Sequence, residues 1–423
     1  MRLALALNGS RGDVQPGIAV ALEMTSRGHE VVVGVPENLV DFARGHGVDA
    51  QMFAPDTDDL LRSPLIKRDL KSPNPRTRAR AIREVTEFGA ATMDDRLLEM
   101  ADGADLVVTG LMGQERGATV AEHRGARFVP LHYCPVRPSR SVPVPLGPLA
   151  ALRAVPVLSE AVWRLVDHAF WWGSARRGDV ALRQRLGMAP ASGPLGNRLR
   201  SADSPEIQAY DPGLFPTLAA EWGPQRPFTG FVTPPAPARD HPSADDTVST
   251  WLDQGPPPVY VGFGSMPLAD APTTFTHLVE TIRAQGHRVL LCAGPNAEAV
   301  AGRLDGPEVL VVGAVDHGLV LPRCVAAVHH GGAGTTGACA RAGVPSLIAA
   351  FSADQPMWGR AISDAGLGAT CGIRHADDND VLPDLIRRIL DPGTAQRSRT
   401  FARLMIDPAD AITAIAEILE QTV

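Results

Sequence analysis

The chain has 423 residues, 44% of them hydrophobic and 21% charged, with a formal net charge of −7. That length and balance fit a globular protein of two or three domains with large apolar cores. They exclude a nucleic-acid binder held by a general basic surface, so any phosphate must be met by local backbone groups and a few side chains.

Cys134, Cys292, Cys324, Cys339 and Cys371 form no CxxC pair and are odd in number. They read as small buried hydrophobes in a reducing cytosol, with neither a disulfide framework nor a zinc site. The opening MRLALALN is too short for a secretory core, and no run approaches the roughly 18 apolar residues of a membrane span. A cytoplasmic chain with no membrane span and no nucleic-acid partner is expected.

In chain order, Leu3–Leu7 reads as a buried strand, followed by a glycine-rich turn, an amphipathic stretch from Val14 to Arg27, and a second strand over Glu30–Val35. Strand, helix, strand makes a βαβ unit and hence a parallel sheet. Leu106–Thr109 and Phe128–His132 read as later strands of that sheet. Residues 55–80 are polar and end in a basic, proline-rich run, which predicts a mobile surface segment. A helix near Ala161–Ser174 carries Trp163, Phe170, Trp171 and Trp172.

Residues 233–245 (TPPAPARDHPSAD) read as a semi-rigid linker. Beyond it the rhythm restarts, with strands at Val259–Phe263, Arg288–Cys292, Val309–Val312, Val325–His329 and Ser346–Ala350 and a last helix over Pro408–Gln421. The fold class expected is therefore α/β, two Rossmann-like, doubly wound parallel-sheet domains facing a central cleft.

The chemistry-bearing segments lie just after strands. His329-His330-Gly331-Gly332-Ala333-Gly334 leads into Thr335-Thr336 at the start of a helix. Glycines let backbone N–H groups approach an anion, and a helix N-terminus favours negative charge, so this turn suits a diphosphate, with His330 as a further donor. Taken alone, His330 also reads as a satisfied strand-end histidine. Gly332–Gly337 satisfies GxGxxG as well, which keeps an NAD(P)- or FAD-dependent oxidoreductase as an alternative. Against that reading, the loop falls late in its domain and Asp354 does not end the next strand.

Gly9-Ser10-Arg11-Gly12-Asp13 follows the first strand. Asp13 reads either as a helix cap or as a general base, which glycosyl transfer requires within reach of the attacking hydroxyl. Ser265, in the turn after Val259–Phe263, offers a hydroxyl to a phosphate. Asp354-Gln355 offers a carboxylate and an amide to sugar hydroxyls, or caps a helix.

Taken together, GSRGDVQP (9–16), VYVGFGS (259–265), HGLVLP (317–322), HHGGAGTT (329–336), RAGVP (341–345) and DQPMWGR (354–360) resemble the inverting, GT-B-fold glycosyltransferases of family 1. The branch they resemble most holds bacterial antibiotic glycosyltransferases and sterol glucosyltransferases. The resemblance spans nearly the whole chain and is strongest over 255–370.

It implies an acceptor-binding domain over 1–232, a nucleotide-sugar domain over 246–405, and a helix over 406–423 packing back on the first domain. Asp13 would be the base and His330 the ligand of the donor phosphate. Gly332, Ala333, Gly334 and Thr335 would complete the diphosphate site, with Ser10, Arg11, Gly12 and Ser265 adding donor contacts. Val315 and His317 would flank the nucleobase, and Asp354 and Gln355 would grip the sugar.

The glutamate that plant members carry eight residues after the phosphate-binding histidine is Ala338 here, which leaves dTDP- and UDP-linked donors open. No aspartate stands near Thr109-Gly110 to orient a base, so Asp13 would act alone. No metal or other cofactor is expected beyond the nucleotide-sugar co-substrate.

The acceptor is expected to be an apolar small molecule (polyketide, glycopeptide, sterol-like or other natural product). It would lie against residues 55–85 and 130–175, with His132, Trp163, Phe170 and Trp171 as its wall; the same aromatics also read as core. A monomer or weak homodimer is expected. An epimerase of the same fold, which needs no acceptor, is the remaining alternative.

Overall fold

The structure, a computed structural model, describes residues 1–144, 155–235, 244–300 and 302–423. Short apolar runs rich in valine, leucine and alanine form its strands, and most are buried on both faces, as a parallel sheet covered by helices requires. The first sheet contains β1 (Arg2–Ala6), β2 (Glu30–Pro36), β3 (Ala50–Ala54), β4 (Leu106–Thr109), β5 (Arg127–His132) and β6 (Ile207–Gln208). The second contains β7 (Val259–Gly262), β8 (Val289–Cys292), β9 (Val309–Val312), β10 (Ala326–His329), β11 (Ser346–Ala350) and β12 (Gly368–Gly372).

Their orders are β3-β2-β1-β4-β5-β6 and β12-β11-β10-β7-β8-β9, parallel throughout. Counted within each sheet, both run 3-2-1-4-5-6, the doubly wound Rossmann order. The expected α/β class, with two doubly wound parallel sheets, is the observed one.

Two compact units result: Met1–Pro212 with Pro216–Ala238 and Ile406–Val423, and Gly213–Phe215 with Arg239–Met405. In the second unit, the period-2 alternation of β7 feeds two cores. Val259 and Val261 pack with Phe275, Leu278 and Ile282 of the helix Ala271–Ala284. Tyr260 joins Leu290, Ala327, Cys339 and Val344 on the opposite face. In the first unit, Ala4, Ala6 and Val107 pack with Leu97, Met100, Val120 and Phe128.

The helix Pro408–Thr422 belongs to the first unit and buries Ala411, Ile415, Ala416 and Leu419. Its Glu420 pairs with Arg27 at 3.2 Å and lies 2.8 Å from His29 Nε2.

The structure departs from the sequence reading in several places. Residues 55–80, expected as a mobile surface segment, form the helices Thr57–Arg62 and Pro64–Lys67 and the start of Pro75–Glu87, in which Ala81 is buried. The first helix begins at Arg11 rather than Val14 and runs to Ser26. The aromatic helix spans Pro156–Phe170, passes through a wide five-residue turn at Trp171–Ala175, and continues as Arg176–Arg185. β3, β6 and β12 escaped the sequence reading altogether. Most of the linker 233–245 lies outside the described residues. Among the described residues, no helix is long and apolar enough to cross a membrane.

The strand order puts the chemistry where it belongs. In a 3-2-1-4-5-6 sheet, adjacent connections leave in opposite directions between the first and fourth strands, opening a crevice at their carboxyl ends. In the first unit this point lies after β1 and β4, beside Gly9–Asp13. In the second it lies after β7 and β10, beside Ser265 and His330–Thr335.

Candidate active site

In the second unit, β10 ends in two histidines with different tasks. His329 is fully buried, and its Nδ1 accepts the Gly331 N–H at 3.1 Å. Gly331 turns the chain at φ +89°, a conformation that favours glycine. Gly332 then stands as N-cap of the helix Ala333–Arg341, which no side chain caps. The first-turn donors of Ala333, Gly334 and Thr335 are left for an external anion.

The His330 ring is boxed between two glycines. A Cβ on Gly332 would stand 2.5 Å from its Nε2, and one on Gly264 2.9 Å from its Cε1. Burial, reinforced by His317, pushes His330 down to about 4, so the ring is neutral near pH 7. Its Nδ1 is buried with no hydrogen-bond partner among the described residues. An orphaned nitrogen beside an uncapped helix start suits a phosphate oxygen.

Around this turn, Ser265 is exposed just past Gly264, whose φ is +57°. Val315 is half-buried against the apolar cluster of Tyr260. The His317 Nε2 lies 3.0 Å from the Tyr260 hydroxyl, which anchors that segment through its side chain. Asp354 caps the helix Gln355–Asp364 and accepts the Trp358 indole N–H at 3.0 Å. Gln355 is buried, its carbonyl accepting from Phe351 N (2.8 Å) and Ser352 N (3.2 Å). Before them Ala353 holds φ +57°, a strained value for a residue with a Cβ. The acid–amide pair is thus set by a fixed turn.

In the first unit, Ser10 is the N-cap of the helix Arg11–Ser26, and Asp13 stands in its first turn. Asp13 Oδ2 accepts from Ser10 N at 2.7 Å and from Ser10 Oγ at 2.9 Å. Among the described residues, no other residue donates to Oδ1. Burial raises the carboxyl above its ordinary range, opposed by the two Ser10 bonds. A raised carboxylate is a stronger base.

Gly9 makes the arrangement possible. Its φ is +125°, and a Cβ there would fall 2.4 Å from Asp13 Oδ2. Gly12 is exposed, and the Arg11 guanidinium lies over the Phe42 ring at 4.5 Å. The cap reading of Asp13 is met by the reciprocal Ser10 contacts, made through Oδ2.

Models of two protein families match the chain. The C-terminal domain of erythromycin biosynthesis protein CIII-like proteins covers residues 287–420, and the glycosyltransferase family 28 N-terminal domain covers 3–96. A Mycobacterium tuberculosis (strain ATCC 25618 / H37Rv) protein described as an uncharacterized glycosyltransferase is 38% identical over 422 residues, which is 99% of this chain and 98% of that one. The chain belongs to the family 1 glycosyltransferases.

The O-mycaminosyltylonolide 6-deoxyallosyltransferase of Streptomyces fradiae is 30% identical over 416 residues, 94% of this glycosyltransferase and 92% of the relative. The Streptomyces sp. SF2575 glycosyltransferase SsfS6, complexed with thymidine diphosphate, shares the fold with a TM-score of 0.61 at 19% identity, covering 99% of each chain. For this glycosyltransferase the dinucleotide reading of Gly332–Gly337 fails on topology. The loop follows the fourth strand of its sheet rather than the first, and Asp354 caps a helix beyond β11.

The residues assigned to an acceptor wall occupy several environments. His132, at the end of β5, is fully buried with Nδ1 3.1 Å from Gln208 Nε2. Burial and the nearby Arg137 push it down to about 3. Trp163 is buried and donates its indole N–H to Val142 O at 2.6 Å. Trp171 is buried beneath the Arg198 guanidinium, 5.6 Å from its ring centre. Phe170 alone of the four exposes its ring, at 52%. Residues 145–154 of this region lie outside the described residues.

A cavity of about 530 Å³ is lined by His168, Trp172, Gly193, Asn197 and Arg198 among others. The sequence reading missed the contacts of Gly9, Gly264 and Tyr133. A glycine in the turn just after a strand was the available signal for the first two.

Proposed function

We propose that this glycosyltransferase moves a sugar, with inversion, from a dTDP- or UDP-linked donor to a hydroxyl of an apolar small molecule. The observation that carries the reading is the unpartnered His330 beside the uncapped start of Ala333–Arg341. In the second domain, that turn holds the donor diphosphate, with Ser265 and the Thr335 backbone adding donors. Asp354 and Gln355 hold the transferred sugar, and the backbone around Val315 and His317 meets the nucleobase.

In the first domain, Asp13 takes the proton of the acceptor hydroxyl as its oxygen attacks the anomeric carbon and the diphosphate departs. Negative charge grows on the leaving group, so donors placed there stabilise the transition state more than the ground state. The exposed Phe170 and its neighbour Trp172 provide an apolar surface for a ring-bearing acceptor.

Ala338 packs against the Tyr260 cluster and brings no carboxylate to a ribose, so either nucleotide is compatible. The structural neighbours solved with thymidine diphosphate favour dTDP.

The test is calorimetric titration of dTDP and UDP together with donor turnover. Asp13→Asn should lower turnover by about 10²- to 10⁴-fold, the worth of a positioned base, and leave nucleotide affinity nearly unchanged. The acid limb of the wild-type rate profile should also vanish in that variant. His330→Ala should weaken nucleotide affinity and turnover together. Normal turnover by Asp13→Asn would remove Asp13 as the base.

A further inference from the structure

β1 pairs with β4 and β4 with β5, so their carboxyl ends stand in a row. The Asp13 loop follows β1, Thr109 and Gly110 end and follow β4, and Tyr133 follows β5 directly. The Tyr133 ring lies across Gly110. A Cβ at position 110 would stand 3.1 Å from the phenol oxygen and 3.3 Å from Cε2.

Tyr133 is 4% exposed, and its hydroxyl, able to donate and accept, has no hydrogen-bond partner among the described residues. Folded proteins seldom leave such a group unpaired without a use. Phenylalanine would fill the same space without that penalty, so packing does not account for the oxygen. Burial and the charge of Asp13 both hold the phenol protonated, which makes it a hydrogen-bond donor near the base. Asp13 in turn has Oδ2 fastened to Ser10, and no other residue donates to Oδ1 among the described residues.

We propose that Tyr133 is the second arm of the nucleophile site, donating its hydroxyl hydrogen to the acceptor oxygen whose own proton passes to Asp13. This rests on Asp13 as the base. The acceptor O–H proton goes to the Asp13 carboxylate, and the acceptor oxygen bonds to the anomeric carbon. The bond from that carbon to the diphosphate oxygen breaks, and its electron pair leaves with the diphosphate. Tyr133 keeps its proton throughout. Two contacts, one donated and one accepted, orient the lone pair that attacks, which a lone carboxylate cannot do.

The experiment compares wild type, Tyr133→Phe, Gly110→Ala and Asp13→Asn with dTDP-glucose and UDP-glucose. The acceptor is 4-methylumbelliferone in one series and water alone (donor hydrolysis) in the other, with thermal midpoints and dTDP and UDP affinities measured alongside. Tyr133→Phe should lower turnover by about 10- to 100-fold, the worth of one contact that orients the attacking oxygen. It should leave nucleotide affinity and the acid limb in place and not lower the thermal midpoint. Gly110→Ala, which displaces the ring, should lose turnover in wild type and much less in the Tyr133→Phe background.

Turnover of Tyr133→Phe within twofold of wild type, with Asp13→Asn inactive, overturns the role of Tyr133 and leaves the base in place. An active Asp13→Asn overturns the base reading itself. A Tyr133→Phe defect accompanied by weakened nucleotide binding or a lowered midpoint overturns the proposal in favour of a structural role.

Discussion

A methyl group at position 9 would collide with the carboxylate that the first domain needs. Gly9 is held at φ +125°, and its virtual Cβ lies 2.4 Å from Asp13 Oδ2, 2.6 Å from Cγ and 2.8 Å from Cβ. Something must shift, and moving the carboxylate breaks the two bonds by which Ser10 holds that oxygen. Gly9→Ala should therefore cost about 10²-fold in turnover by moving the base on the order of 1 Å, with nucleotide affinity unaffected. Steady-state kinetics with calorimetry would check this, and an unimpaired variant would show that the loop tolerates the shift.

At this scale the sequence was partly legible. Asp13 and His330 were identifiable because residue type and position after a strand restrict what they can do. The atom that each side chain leaves unengaged was not, since hydrogen-bond partners depend on φ and ψ that letters do not encode.

Among elements, the site is built from strand ends whose glycines act on one ring. Gly264 after β7 and Gly332 after β10 clamp His330 from two sides, and adjacent parallel pairing of β7 and β10 brings them together. Gly332→Ala has no backbone strain to overcome, since φ there is −64°. It should still push the imidazole toward Gly264 and out of reach of the diphosphate. The expected loss in dTDP and UDP affinity is about 10- to 100-fold, the worth of a hydrogen bond to a charged group, read by calorimetry. Unchanged affinity would mean that the ring is not a phosphate ligand.

The strands that the sequence concealed, β3, β6 and β12, are all sheet edges. Ala50–Ala54 carries Gln51, Ile207–Gln208 is two residues long, and Gly368–Gly372 is half glycine and threonine in character. Edge strands are buried less completely and tolerate polar residues, so they lack the apolar run that marks central strands. The helices within 55–80 were hidden for a related reason: their composition is polar, and packing within the unit rather than propensity stabilises them.

Across the whole molecule, each unit buries neutral histidines near the carboxyl ends of its sheet. His132 is held down to about 3 and His330 to about 4, chiefly by burial. In the unfolded chain a histidine titrates near 6.5, so as pH falls the unfolded state takes up protons first and stability is lost. The loss begins as pH drops through about 6.5 and continues until the folded-state values are reached. Glu115, pushed up to about 7 by burial, acts in the opposite sense over part of that window.

A substitution isolates one term. His132→Gln should lose about 2 kcal/mol less stability than wild type between pH 7.5 and pH 5, measured by urea unfolding at each pH. Equal losses would mean that His132 is charged in the folded protein.

By itself, the sequence determined the doubly wound α/β class and the family, and it singled out the loops proposed to carry chemistry. Central strands advertise themselves by continuous burial, and a phosphate-binding turn cannot dispense with its glycines and histidine. Only the tertiary structure decided which atoms those loops present. Pairing β1 with β4, and β7 with β10, juxtaposes residues more than a hundred apart in the first sheet and more than sixty in the second. Tyr133 across Gly110, and His330 between Gly264 and Gly332, exist only once those strands have paired. No local pattern records such contacts, because they arise from the order of strands in the sheet and not from neighbours along the chain.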